Sequence, residues 1–274
     1  MAMMTSPLGI EISPATTSLA NQRFIEASGI GTTIRPDFVS VTWSAGGKDN
    51  PGKPYDLIQQ LERNQLQVLP HLTGLYKTPT AITQELHELT RLGVKRVLAL
   101  RGDVNHHQRP TGYFPHATNL IRYIKQHSQL KIAAAAYPER HPESDSWGTE
   151  LFYLRAKVQA GATELFTQFC FDVPTIFRWL DRIHIADIRV PVVVGVLPLT
   201  SQTRIQQAEI MLGHPLPMEL KNRLAVAQTE SELRAIGIQV ALEQIYSLQR
   251  VGVGVQIYTF NDVQLLQTIW KTIK

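Results

Sequence analysis

Short, nearly continuous apolar runs alternate along the chain with longer segments whose apolar residues recur every three or four positions. The runs are Gly9–Ser13, Phe38–Trp43, Gln67–Thr73, Arg96–Arg101, Lys131–Tyr137, Glu164–Phe171, Pro191–Leu199 and Val253–Phe260. Stretches such as VLAL, IAAAAY and VVVGVL lack polar residues, as parallel strands do when both faces are covered. The periodic segments predict helices over Thr16–Ser28, Tyr55–Asn64, Thr80–Leu92, Ala117–His127, Thr149–Ala160, Thr175–Ile185, Thr203–Leu212, Glu230–Arg250 and Asp262–Lys274. Thr78-Pro79 marks a helix start, Gly93 and Gly161 mark helix ends, and Pro174 after Asp172 opens another. Strands each followed by a helix, over a length near the ~250 residues usual for such folds, predict a (β/α)8 TIM-type barrel. A doubly wound open sheet is the alternative, but no G-x-G-x-x-G turn follows the first strand. Gly213–Ala227 reads as an insertion with an extra short helix. No Pro/Ser-rich linker divides the chain, so a single domain is expected.

Composition narrows the function classes. The 274 residues are 43% hydrophobic and only 18% charged, which excludes a disordered chain. The net charge of +4 is diffuse, and no basic cluster or Cys/His finger is present. Nucleic acid is therefore not an expected partner. One cysteine, Cys170, allows no internal disulfide. Met1–Pro14 lacks the features of a signal peptide, and the apolar runs reach about half the ~20 residues of a membrane span. A cytoplasmic protein with no membrane contact is expected.

Barrel enzymes place their chemistry at the C-terminal ends of the strands. Those ends carry Glu11, Thr42, His71, Arg101 with Asp103, Tyr137 with Glu139 and His141, Gln168 with Asp172, and Tyr258 with Asn261. Glu11, inside the apolar GIEIS, is either an edge carboxylate facing water or a desolvated carboxyl with a raised pKa, fit to act as a general acid. Asp103 in LALRGD is either one half of an Arg–Asp pair presented to a ligand or a structural ion pair with Arg101. Glu139, His141 and Glu143 fix no coordination geometry, so no metal site is expected. His106-His107 reads as a solvated loop, and Cys170 as core. The Gln168 amide, ending an apolar strand, would be satisfied by the edge of a heterocycle.

The segments FVSVTW, LPHLTG, LALRGD, AAYPERHPE, AKVQAGA-x4-TQFCFD, GVLPLT and IYTFN occur in this order. Together they resemble the methylenetetrahydrofolate reductase family of one-carbon metabolism and methionine biosynthesis, from Glu11 to Asn261. The resemblance implies a flavoprotein barrel that binds FAD. It implies reduction of 5,10-methylenetetrahydrofolate to 5-methyltetrahydrofolate with NADH or NADPH. It also implies Glu11 as proton donor to folate N10 and Asp103 as stabiliser of the cationic iminium. By the same resemblance, Gln168 and Tyr258 are expected to join Asp103 in binding substrate. Thr42, His71, Arg101, Gly102, Ala135, Tyr137, His141, Glu150 and Lys157 fall on positions that cradle FAD. There are departures from the pattern at Ile10, Ile12, Ser13, His116 and Gln202. On the fifth helix, Asp, Asn and Arg positions of the family are Glu150, Tyr153 and Ala156. Loss of the arginine and the bulk of Tyr153 imply weak or absent FAD, with direct hydride transfer from the nicotinamide as the other route. A non-catalytic folate- or flavin-binding barrel is the rival reading. A lyase or aldolase would need a strand-end lysine, whereas Lys95 and Lys131 lie at strand starts. A homo-oligomer is compatible with all of this.

Overall fold

The computed structural model describes residues 6–42, 53–104 and 107–273. The strands are β1 (Leu8–Ile12), β2 (Phe38–Val41), β3 (Val68–Thr73), β4 (Arg96–Leu100), β5 (Lys131–Ala136), β6 (Glu164–Thr167), β7 (Val192–Val196) and β8 (Gly254–Tyr258). Each pairs in parallel with the next, and β8 pairs with β1, closing a barrel. The helices are α1 (Ser18–Ser28), α2 (Pro54–Arg63), α3 (Pro79–Arg91), α4 (Ala117–His127), α5 (Trp147–Ala160), α6 (Val173–Ile185), α7 (Gln202–Leu212), α8 (Met218–Ala225), α9 (Glu230–Arg250) and α10 (Val263–Ile273). The (β/α)8 architecture is the one the alternating pattern predicts.

Strand side chains go two ways. Ile10, Ile12, Val39, Val41, Val194, Val196, Val255 and Ile257 join the helices in one large core. Phe38, Leu69, Leu98, Ala133, Phe166 and Val193, one from each of β2 to β7, form a separate plug. Gly9 leaves room for it: a Cβ there would lie 2.1 Å from the Phe38 ring. Arg96 and Glu164, the first residues of β4 and β6, pair at 3.0 Å beside the plug, with the Arg96 guanidinium 4.8 Å from the Phe38 ring centroid. Two residues beyond Gly9 and Phe38, the same strands present Glu11 and Ser40. The barrel axis therefore passes from an apolar plug to a polar mouth.

Some strands are shorter than the apolar runs. The run Glu164–Phe171 pairs only to Thr167, and Pro191–Leu199 only over Val192–Val196. The surplus apolar residues, Phe169, Leu197 and Leu199, leave the ladder to build a second core with Ile205, Leu216, Leu220 and Leu224. Apolarity there reports burial under α7 and α8, not strand pairing. The run Phe38–Trp43 ends as a strand at Val41, and Trp43 lies outside the described residues. Helix starts follow their caps. Ser146 accepts from Thr149 N, so α5 opens at Trp147, two residues before the predicted Thr149.

The seam between α9 and the chain leaving β7 is tight. A Cβ on Gly237 would lie 1.9 Å from the Leu199 carbonyl oxygen. Gly237→Ala gains about 1 kcal/mol of helix propensity but forces this backbone contact apart, at roughly 1–3 kcal/mol. The expected outcome is a lower urea midpoint with an unchanged slope. A midpoint equal to or above that of the parent would show that α9 moves freely.

Candidate active site

Glu11 is central to the mouth. It is paired in register with Ser40 of β2 and Tyr258 of β8. Its side chain is 16% exposed, and Oε2 accepts a hydrogen bond from Gln256 Nε2 at 2.9 Å. His71 Nε2 lies 3.7 Å from the same oxygen and 2.7 Å from Ser40 Oγ. Burial pushes the carboxyl up to about 8 and the imidazole down to about 4. At neutral pH both groups are therefore uncharged. Glu11 is a desolvated carboxyl and not an edge carboxylate facing water. Gln256 Oε1 is buried without a partner. Turning the amide over lets that oxygen accept the proton of neutral Glu11, which suits the protonated form.

The surroundings fix Glu11 in place. Thr259 Oγ1 donates to its carbonyl oxygen at 2.6 Å, and the Asn261 side chain bonds both Ser13 N (2.9 Å) and Ser13 O (2.8 Å). Thr42 Oγ1 donates to Ser13 Oγ. The Tyr258 hydroxyl reaches Thr167 O at 3.4 Å, with its ring edge-on to Phe169. Gly195 is required here, since a Cβ would lie 2.6 Å from the Tyr258 ring. Burial, with Glu11 and Tyr137 nearby, holds the Tyr258 phenol well above its usual range. Tyr137, raised to about 12 by burial, senses Glu150, Arg101, Asp103 and Glu143 in turn. Tyr258 and Tyr137 thus join the Glu11 side of the mouth to the Asp103 side.

That second side is rich in paired charge. Arg101 is held in a fork by Glu143, at 2.6 and 2.9 Å, and the charge of Asp103 adds to the pull on it. Asp103 is exposed, in the loop after β4, beyond Gly102 in a left-handed turn (φ 93°). Lys157 Nζ donates to Ala135 O at 2.9 Å, and burial lowers its pKa. Glu150 is buried, accepting from His141 N and Ser144 Oγ, so it staples the loop after β5. His141 Nδ1 accepts from Glu143 N, which places its proton on Nε2, and the ring packs edge-on to Tyr137. Tyr153 and Phe152 are exposed on α5.

Gln168 is half-buried at the end of β6, its Oε1 taken by Phe169 N. Asp172 is committed as the cap of α6, bonding Thr175 N. Cys170 is buried and its thiol is pushed upward by burial and by Glu139, which fits a core residue. His106 lies outside the described residues. Among the described residues, no three His, Cys, Asp or Glu side chains gather as a metal site, and no helix is long and apolar enough to cross a membrane. Reasoning from strand ends missed Gln256, Ser40 and the Arg101–Glu143 pair. The available signal for Gln256 was a lone amide inside the apolar run GVQIY.

Burial of Glu11 sets a pH dependence of stability. Its folded pKa lies above the unfolded value, so the folded chain holds a proton the unfolded chain releases. The contribution of Glu11 to stability is full below about pH 4.5 and declines as pH rises toward 8. Glu11→Gln removes this decline. The variant is expected to match the parent in unfolding free energy near pH 5 and to exceed it at pH 8. An equal difference at both pH values would show that Glu11 ionises normally.

Three comparisons bear on this geometry. The family model described as methylenetetrahydrofolate reductase matches residues 4–274. The 5,10-methylenetetrahydrofolate reductase of Escherichia coli (strain K12) is 29% identical over 270 residues, covering 97% of this chain and 90% of that protein. The enzyme of the same name from Pectobacterium carotovorum subsp. carotovorum is 30% identical over 246 residues, covering 88% and 81%. Among solved structures, a Clostridium thermocellum protein that binds two copies of 5-methyl-5,6,7,8-tetrahydrofolic acid superposes with a TM-score of 0.70. It is 14% identical and covers 98% of this chain and 96% of its own, a likeness of fold. With a family match spanning nearly the whole sequence and a neutral carboxyl in the mouth of the barrel, the chain belongs to the methylenetetrahydrofolate reductase family.

Proposed function

We propose that this chain reduces 5,10-methylenetetrahydrofolate to 5-methyltetrahydrofolate within a single barrel domain, with NADH or NADPH as reductant. The observation that carries the reading is Glu11, a carboxyl kept protonated near neutral pH by burial at the barrel mouth. Ring opening of the substrate requires a proton on N10. Glu11 supplies it, with Gln256 holding the carboxyl and neutral His71 adding no charge that would draw the proton away. Cleavage of the bond from N10 to the methylene carbon leaves an N5 iminium cation. Asp103 stabilises that positive charge from the rim, and hydride addition to the methylene carbon completes the methyl group. The Gln168 amide addresses the pterin edge, and Tyr258 walls the pocket.

The residues that run from the Glu11 side to the Asp103 side of the mouth fit FAD in kind. Gly102 turns the backbone where a Cβ would crowd Thr73. Thr42, His71, Arg101, Ala135, Tyr137, His141 and Lys157 would hold the cofactor, which when bound supplies the hydride received from the nicotinamide. The grip on the diphosphate is weak. Ala156 carries no charge, Lys157 is committed to Ala135 O, and Arg101 must exchange Glu143 for phosphate. Glu143 is 61% exposed, so that ion pair is worth at most about 1 kcal/mol and the exchange is feasible.

Three outcomes follow. Glu11→Gln is expected to lower folate reduction by roughly 10²–10⁴-fold, and in the parent kcat/KM falls as pH rises past about 8. Parental turnover in the variant would place the acid elsewhere. Asp103→Asn is expected to cost folate turnover about 10²-fold, with a smaller effect on nucleotide binding. Equal losses in both would make Asp103 structural. Gel filtration is expected to strip FAD from the protein, with activity restored on titration. FAD retained through the column would show a firm diphosphate grip, and folate reduction by NADH without flavin would move the reaction to direct transfer.

A further inference from the structure

Arg204 lies in the first turn of α7, on the mouth side of the barrel. Its guanidinium stacks on the Phe260 ring with 3.6 Å between Cζ and the ring centroid. Nη1 is buried without a hydrogen-bond partner, and burial depresses the pKa of the group. The neighbouring carboxylate does not serve it. Asp262 is bound bidentately by Arg234, at 2.8 and 3.0 Å, and also caps α10 through Leu265 N. Arg204, Arg234 and Asp262 together leave one positive charge in excess. The dipole of α7 adds to it at this end of the helix. A half-buried guanidinium with one buried, unfilled donor is costly unless an anion completes it.

The position of that cation relative to Glu11 decides which anion it suits. Phe260 and Asn261 both adopt left-handed backbone (φ 50° and 58°), and Asn261 pins this turn to Ser13, two residues beyond Glu11. In a folate, N10 carries the aminobenzoyl-glutamate arm. With Glu11 protonating N10, the arm begins at β1, beside the turn that bears Phe260. The cations Arg101 and Lys157 stand on the other side of the mouth, on β4 and α5. We propose that Arg204 binds a carboxylate of the glutamate arm of the folate and makes the site selective for conjugated folates over pteroates. The assignment rests on the folate reading above. Phe260 keeps the guanidinium in place by cation–π attraction, so the ligand meets an ordered donor.

The test compares 5,10-methylenetetrahydrofolate with 5,10-methylenetetrahydropteroate, which lacks the glutamate. Binding of the 5-methyl forms of both compounds is measured by titration, so the result does not depend on turnover. Wild-type protein is expected to prefer the glutamate-bearing compound. Arg204→Ala is expected to reduce that preference, in kcat/KM and in affinity, by about 10–100-fold, the loss of one charge-assisted hydrogen bond. Arg204→Lys, which keeps the charge, should recover part of it. Equal losses on both compounds, an unchanged preference, or a rise confined to the KM for the nicotinamide nucleotide would each overturn the assignment. Wild-type protein that binds and reduces neither compound would overturn the folate reading and this assignment with it. Equal use of both by the wild type would overturn this assignment alone.

Discussion

Everything at the mouth depends on burying Glu11 with no cation beside it among the described residues. A carboxyl next to Arg or Lys would be held ionised and useless as an acid near neutral pH. Among the described residues, the side chains that reach its carboxyl are an amide, Gln256, and an imidazole, His71, that burial keeps neutral. The plug of Phe38, Leu69, Leu98 and Phe166 closes the barrel below, so water does not restore the charged form from that side. Strand closure, the apolar plug and the neutral ring of polar neighbours act as one device, and each is needed for the other two to matter.

Two groups of charge stand apart from this acid. On the β4 and α5 side, Arg101 and Lys157 are offset by Glu143, Glu150 and Asp103, so an anion entering there must displace an internal partner. At the turn after β8, Arg234 and Asp262 satisfy each other while Arg204 keeps an unfilled donor. Similar residues therefore offer different things to a ligand. A bidentate pair at the rim exchanges at small cost because water competes for both partners. A half-buried guanidinium stacked on a ring meets less competition from water, and its preference for an anion is correspondingly stronger.

Much of the fold could be read from the chain because its main signals are local. α4 and α9 occupy Ala117–His127 and Glu230–Arg250, the spans given by their periodicity and flanking signals. Strand ends were harder to place. Phe169, Leu197 and Leu199 are as apolar as any strand residue, yet they pack beneath α7 and α8, and sequence does not separate these two kinds of burial. The site shows the same division. Glu11, His71 and Tyr258 stand out as polar or phenolic groups at the ends of apolar runs. The Arg101–Glu143 fork joins residues 42 positions apart on different loops, and Asp103, two positions along the chain, is the more obvious partner on paper. Asp172 looked available at a strand end but is consumed by the helix it caps.

The alternation along β1 explains why a core strand can also hold a catalytic group. Gly9 faces the Phe38 ring and Glu11 faces the mouth, while Ile10 and Ile12 enter the layer beneath the helices. A slip of one residue would exchange the two sets, driving the carboxyl among the helices and an isoleucine into the mouth. Such a slip is opposed twice over. Phe38 needs the missing side chain of Gly9, and Asn261 and Thr259, in the turn that leaves the closing strand, hold the backbone of Ser13 and Glu11. The contacts that fix the register of the barrel are therefore the same contacts that aim the acid. A change that loosens the junction of β1 with β8 should be felt in proton transfer before it is felt in the stability of the barrel as a whole.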